Sequence, residues 1–264
     1  MPSKPRSRRS EAKSLETVCY YQNVRGLNTK LKDFSLSTIT SLTYDIVALT
    51  ETWLNDSVSD AELFDLSVYS VFRSDRNYSA TNTKRGGGVL LAIKNAFKSV
   101  KISTVDLDDA LAKIPKVDFL LVKTSAGFRT IFIGIAYIPP SCDSATYNIF
   151  FDSLMSLHCL YGSNLLIFGD FNISDLVIWL HSGPNASTFK DYKSFINFFN
   201  LVQFNEIVNN TEKVLDLVLS NQPCRVDRAL DILTNEDIFH PALEVTVKLL
   251  KPDCNSNKFP IVMF

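Results

Sequence analysis

The chain has 264 residues, 46% of them apolar and 21% charged. That is enough to bury a substantial core, and it excludes fibrous or extensively disordered classes. With 27 Lys and Arg against 28 Asp and Glu, the formal net charge is −1. A strongly basic coat is therefore absent, and any hold on nucleic acid has to be local, made by a groove.

The cysteines are Cys19, Cys142, Cys159, Cys224 and Cys254. Their odd number and the lack of C-x-x-C spacing speak against a disulfide framework and a thiolate zinc site. The N-terminus has no apolar signal core, and the longest apolar runs are only strand-sized. A nuclear or cytoplasmic location without membrane contact is the expectation. Lys4, Arg6, Arg8 and Arg9 mark residues 1–14 as a basic, disordered tail. It reads as a solvated terminus or as a nuclear-localisation or phosphate-binding arm.

Strand and helix signals then alternate. Residues 16–23 form a β-rich run ending at Asn23. Residues 28–43 place Leu31, Phe34, Ile39 and Leu42 on an imperfect helix face. Strands are predicted at 45–51, 69–75, 87–95, 98–103, 117–124 and 128–138. Their short connections suggest antiparallel pairing. Residues 143–161 give the clearest helix, with Tyr147, Phe150, Phe151, Leu154 and Leu157 on one face and Asp143 or Ser144 as cap. A strand at 164–172 follows. A helix at 188–199, capped by Ser187, then leads to strands at 201–204, 214–220 and 242–250. This pattern predicts a four-layer α/β sandwich, two mainly antiparallel sheets face to face with helices outside.

Polar residues that interrupt the apolar strands carry the chemistry. Asn23, Glu51, Asp170 and Asn172 end strands, Asp216 lies inside one, and His240 precedes one. Carboxylates are costly to bury unless paired, hydrogen-bonded or bound to metal. Oxygen ligands with few His and no Cys suit a hard cation, Mg²⁺ with Mn²⁺ as substitute, and phosphoryl transfer. Each residue also has a plainer reading: Glu51 as an exposed strand end, Asp170 as a turn former, Asp216 as a backbone cap, His240 as a loop residue. His158 and His181 read as structural or exposed. Gly86, Gly87 and Gly88 read as a turn into a strand, since no helix follows to complete a phosphate cradle.

The strings QNVRGL, LTETWL, RGGGV, AYIPP, GDFN, LDLVLSN and HPALEV, in this order, resemble the endonuclease/exonuclease/phosphatase superfamily. More narrowly, they resemble the apurinic-type endonuclease domain of jockey-type non-LTR retrotransposons. The resemblance implies a domain over 15–250, with 251–264 peripheral. It assigns the metal site to Asn23, Glu51 and Asp237, with Glu51 as principal Mg²⁺ ligand. It assigns phosphate contact to Tyr137 and the attacking water and pentavalent state to Asp170 and Asn172. His240 becomes the catalytic histidine and Asp216 its orienter.

Two departures stand out. The family usually places an aspartate directly before the histidine, whereas Asp237 stands two residues further away. Arg25 occupies a position where cellular repair members carry an aspartate. The implied activity is Mg²⁺-dependent nicking of DNA to leave a 3′-hydroxyl for primed reverse transcription, with a reverse-transcriptase domain expected downstream. Arg25, Arg76, Lys84 and Arg85, with the basic tail, are the expected DNA contacts. The alternatives are a phosphoesterase of the same fold acting on a phosphorylated lipid or inositol, and an inactive relic that binds nucleic acid.

Overall fold

The computed structural model describes residues 15–41, 43–83, 85–173 and 187–249. The tail 1–14, Leu42, Lys84, His181 and the stretch 251–264 lie outside the described residues. Strand β1 (Leu15–Asn23) leads through helix α1 (Leu31–Thr40) to β2 (Ile46–Thr50). Next come β3 (Tyr69–Ser74), the short α2 (Tyr78–Thr81), β4 (Val89–Lys94), β5 (Lys98–Lys101) and α3 (Val105–Lys113). A long hairpin, β6 (Asp118–Ala126) and β7 (Arg129–Tyr137), precedes α4 (Ser144–Met155) and β8 (Asn164–Asp170). The last elements are α5 (Ser187–Phe198), β9 (Val202–Gln203), β10 (Asp216–Ser220), β11 (Cys224–Arg228) and β12 (Leu243–Leu249).

The strands form two six-stranded sheets, in the orders β11-β12-β1-β2-β4-β3 and β5-β6-β7-β8-β10-β9. The expected run of antiparallel strands is thus divided between sheets. In each sheet one central pair is parallel, β1 with β2 and β7 with β8. A parallel pair needs a crossover of a dozen or more residues, and α1 and α4 supply it.

Side-chain alternation sorts the core into three layers. Cys19, Tyr21, Ile46, Ala48, Leu91, Ile133, Ile135, Leu166, Phe168 and Val218 pack between the sheets. Tyr20, Val47, Leu49 and Leu90 face the other way, against Phe34 of α1. Phe119, Leu121, Phe132, Leu165, Ile167 and Leu217 face α4 and α5. There Phe151 sits among Phe150, Phe171, Tyr192 and Phe195, with the Phe195 ring centroid 4.9 Å away. The four-layer α/β sandwich follows from this period-two pattern.

The elements differ from expectation where the local signal is weak. Helix α1 is shorter than 28–43 and buries Phe34 and Thr38, while Ile39 is exposed. Helix α3 buries only Leu107, so it leaves little apolar period to read. Asp143 caps α4 by accepting from the Thr146 amide at 3.0 Å, and the predicted extension beyond Met155 is a 3-10 turn at His158–Leu160. Edge strand β11 is polar and mostly exposed, which hides it from a hydrophobic reading. Among the described residues, no helix is long and apolar enough to cross a membrane.

Candidate active site

Residues at the carboxyl ends of parallel strands point into the crevice that α/β folds use for ligands. Here both parallel pairs end at the same rim. Asn23 ends β1, Glu51 follows β2, Tyr137 ends β7 and Asp170 ends β8. Asp118, Tyr137, Asp170 and Asp216 are successive partners across β6, β7, β8 and β10. They share the strand parity of the inter-sheet core, so these polar side chains continue the inner apolar face to its rim.

The buried Asp216 carboxylate accepts from the Tyr21 hydroxyl at 2.8 Å and lies 2.9 Å from His240 Nδ1. His240 is buried too, with Nε2 3.9 Å from Asp170 Oδ2. Burial alone would push the His240 imidazole down. The Asp216 carboxylate, with Asp170 and Glu51 behind it, instead raises it to about 9. Asp170 is pushed up to about 8, first by burial and then by the negative charges of Asp216 and Glu51. Burial and the same carboxylates keep the hydroxyls of Tyr21 and Tyr137 well above their ordinary range.

Asn23 Nδ2 bridges Glu51 Oε1 at 3.1 Å and Asp170 Oδ2 at 2.9 Å. Its Oδ1 accepts from the Arg25 amide at 3.1 Å. Glu51 Oε2 accepts from the Trp53 indole at 3.0 Å. Glu51, Asp170 and His240 each bring one donor atom within 4.8 Å of the others. Glu51, expected on the metal, thus converges with Asp170 and His240. Asn23 spends its amide bracing the two carboxylates. Asp237 pairs with Arg25 at 3.1 Å, and its carbonyl accepts from the His240 amide at 3.1 Å. Asn172 has its backbone at φ 49 beside the site, and its amide donates to the Ile138 carbonyl at 2.9 Å.

The expected DNA contacts separate. Arg25 and Arg85 are exposed at the rim, Arg85 with its guanidinium 5.7 Å over the Trp53 ring. Arg76 is 7% exposed. Its Nε lies 2.8 Å from Asp118 Oδ1, and its Nη2 donates to the Lys116 carbonyl at 2.6 Å. Arg76 is thus held inside the protein by Asp118 and the Lys116 carbonyl, unlike the exposed Arg25 and Arg85. The ion pair also explains the glycine run. A Cβ on Gly87, at φ +76, would lie 2.4 Å from both Arg76 and Asp118. Asp118 Oδ2 accepts the Gly88 amide at 2.8 Å, which holds the turn into β4.

A sequence profile of the Endonuclease/Exonuclease/phosphatase family matches residues 21–237. The chain belongs to that family. No curated protein sequence matches the chain closely enough to count as a relative. Solved structures share its fold at low identity. The endonuclease domain of TRAS1, a telomere-specific non-LTR retrotransposon, is 13% identical, with 90% of this chain and 100% of that one covered at a TM-score of 0.60. The AP endonuclease LMAP from Leishmania major is 14% identical, with 94% and 92% covered at 0.60. D. rerio TDP2 complexed with a single-strand DNA product is 14% identical, with 88% and 99% covered at 0.51.

Within this family member, sequence reasoning missed Tyr21, Trp53 and Asp118. Tyr21 is hidden because it looks like core. Its signal is its parity, two residues before Asn23 on the same strand face. Asp118 opens a predicted strand, but its partner Arg76 is 42 residues away. Trp53 stood in plain view in LTETWL, with nothing to say that its N–H meets Glu51.

Proposed function

We propose that the chain is a Mg²⁺-dependent DNA endonuclease that nicks one strand and leaves a 3′-hydroxyl, as the endonuclease domain of a non-LTR retrotransposon. The observation that carries this reading is the meeting of Asp170, the Asp216–His240 pair and Glu51 at one rim, within hydrogen-bonding reach of one another's neighbours. The DNA-related names of several structural neighbours, and the exposed Arg25 and Arg85, favour DNA over a small phosphorylated molecule.

The donor chemistry fits a hard divalent cation. Two carboxylates converge beside His240, and Asp170 is raised to about 8 by burial and by negative neighbours. A cation would relieve that excess of buried negative charge, with Glu51 and Asp170 as its oxygen donors. When bound, it supplies polarisation of the phosphate. The chain's own groups do the rest. Asp216 accepts from Nδ1–H of His240 and so fixes the ring with Nε2 toward the cleft. Nε2–H donates to a phosphate oxygen as negative charge builds there. Asp170 accepts the proton of the attacking water as the water oxygen bonds to phosphorus, and the phosphorus–O3′ bond breaks, the 3′ oxygen taking a solvent proton to leave as the hydroxyl. The Tyr137 hydroxyl, held in its protonated form, is a second donor to the phosphate.

The test sets supercoiled plasmid against a soluble inositol polyphosphate at equal enzyme and Mg²⁺ concentration. Nicking of the plasmid with ends that a polymerase extends supports the reading. Release of phosphate from the inositol compound without nicking contradicts it.

A further inference from the structure

Beside the cleft, Glu51 at φ 52 and Trp53 at φ 54 both occupy the left-handed backbone region. For side chains with a Cβ, an indole above all, this is strained and persists only where the surroundings impose it. Here they do. The Trp53 amide donates to the Gly87 carbonyl at 3.0 Å, and the Gly26 amide donates to the Glu51 carbonyl at 2.7 Å. Asn28 donates to the Trp53 carbonyl at 3.1 Å. The indole lies so close to Gly26 that a Cβ there would be 2.5 Å from Cε3. The guanidinium of Arg85 covers the ring at 5.7 Å. The product of all this is one contact, the indole N–H on Glu51 Oε2 at 3.0 Å.

With Asn23 on Oε1 and Trp53 on Oε2, both oxygens of Glu51 have a fixed donor. The two donors differ in kind. Asn23 ties Glu51 to Asp170, whereas Trp53 ties it to the glycine-lined loops outside the cleft. Glu51 follows its strand and is half-buried, and the strand-borne Tyr137 hydroxyl also hydrogen-bonds its carboxylate. We propose that Trp53 is a positioning residue that sets the plane of the Glu51 carboxylate for a divalent cation. The inference rests on the reading of Glu51 as a cation donor. Groups that orient metal ligands typically contribute ~10–100-fold to affinity.

The test measures binding of Mn²⁺ alone, by electron paramagnetic resonance of free ion, to wild type, Trp53→Phe and Glu51→Gln. Trp53→Phe keeps an aromatic ring between Gly26 and Arg85 but has no N–H. The expected result is a Kd raised ~10-fold or more in Trp53→Phe, with a melting temperature close to wild type, and no comparable site in Glu51→Gln. If Trp53→Phe does not fold, benzothienylalanine at position 53 keeps the indole shape without the donor, and the same shift is expected. Wild-type Kd in a folded variant overturns the role of Trp53 and leaves the cation reading intact. Equal Mn²⁺ binding by wild type and Glu51→Gln overturns the cation reading itself, and this inference with it.

Discussion

The second sheet brings Tyr137, Asp170 and Asp216 to the cleft as registered neighbours on three adjacent strands. The first sheet brings Arg25, Glu51 and Trp53 there on loops with left-handed backbone, at φ 43, 52 and 54. Residues in a ladder inherit their positions from backbone hydrogen bonds and the core behind them. Residues on loops need cross-bracing, and the structure shows it: Asn23 and Trp53 on Glu51, Asp237 on Arg25. The difference teaches where each kind of defect should appear. Damage to the strand-borne set should strike the chemistry, and damage to the loop-borne set should strike cation affinity or grip on DNA.

The largest effect is expected where the two halves meet. His240→Ala and Asp216→Ala should each lower plasmid nicking ~10²–10⁴-fold. The double variant should be little worse than either single one, because removing the orienter already disables the imidazole. Additive losses would show that Asp216 and His240 act separately.

Next is the contrast between two arginines. Arg76→Ala leaves Asp118 buried and unpaired, and should cost about 3–5 kcal/mol of stability in a denaturant titration. Arg85→Ala should leave stability within about 0.5 kcal/mol. It should weaken DNA binding and reduce the salt slope by about 1. A stable Arg76→Ala that binds DNA poorly would mark Arg76 as a contact.

The smallest effect belongs to Asp237. Its pair with Arg25 is partly exposed, so Asp237→Ala should cost about 0–1 kcal/mol of stability. Nicking at saturating Mg²⁺ should stay close to wild type. A loss as deep as that of His240→Ala would put Asp237 at the cation site.

These contrasts also mark what the sequence made legible. Asp216 stood out because a carboxylate flanked by apolar residues inside a strand has few bland explanations, whereas Asp170 at a strand end also read as a turn former. Glu51, Asn23 and His240 were readable as strand-end residues, and the ordered strings supplied their expected roles. The ion pair of Arg76 was not legible because its buried partner is 42 residues away, and no local pattern carries that. The pairing of Asp237 with Arg25, 212 residues away, was hidden for the same reason. The parallel pairs were missed because strand direction is set by crossovers, and the signal for α1 is weak. Helix α3 and strand β11 were missed because they bury little.

The central claim is that Glu51 and Asp170 seat a divalent cation on which strand cleavage depends. Its most direct test is the nicking rate of supercoiled plasmid against Mg²⁺ concentration, for wild type and Glu51→Gln, with a chelator control. The account predicts saturable Mg²⁺ dependence in wild type, loss of nicking in chelator, and a flat, near-zero line for Glu51→Gln. Undiminished nicking in chelator, or a Glu51→Gln curve that overlays wild type, would contradict it.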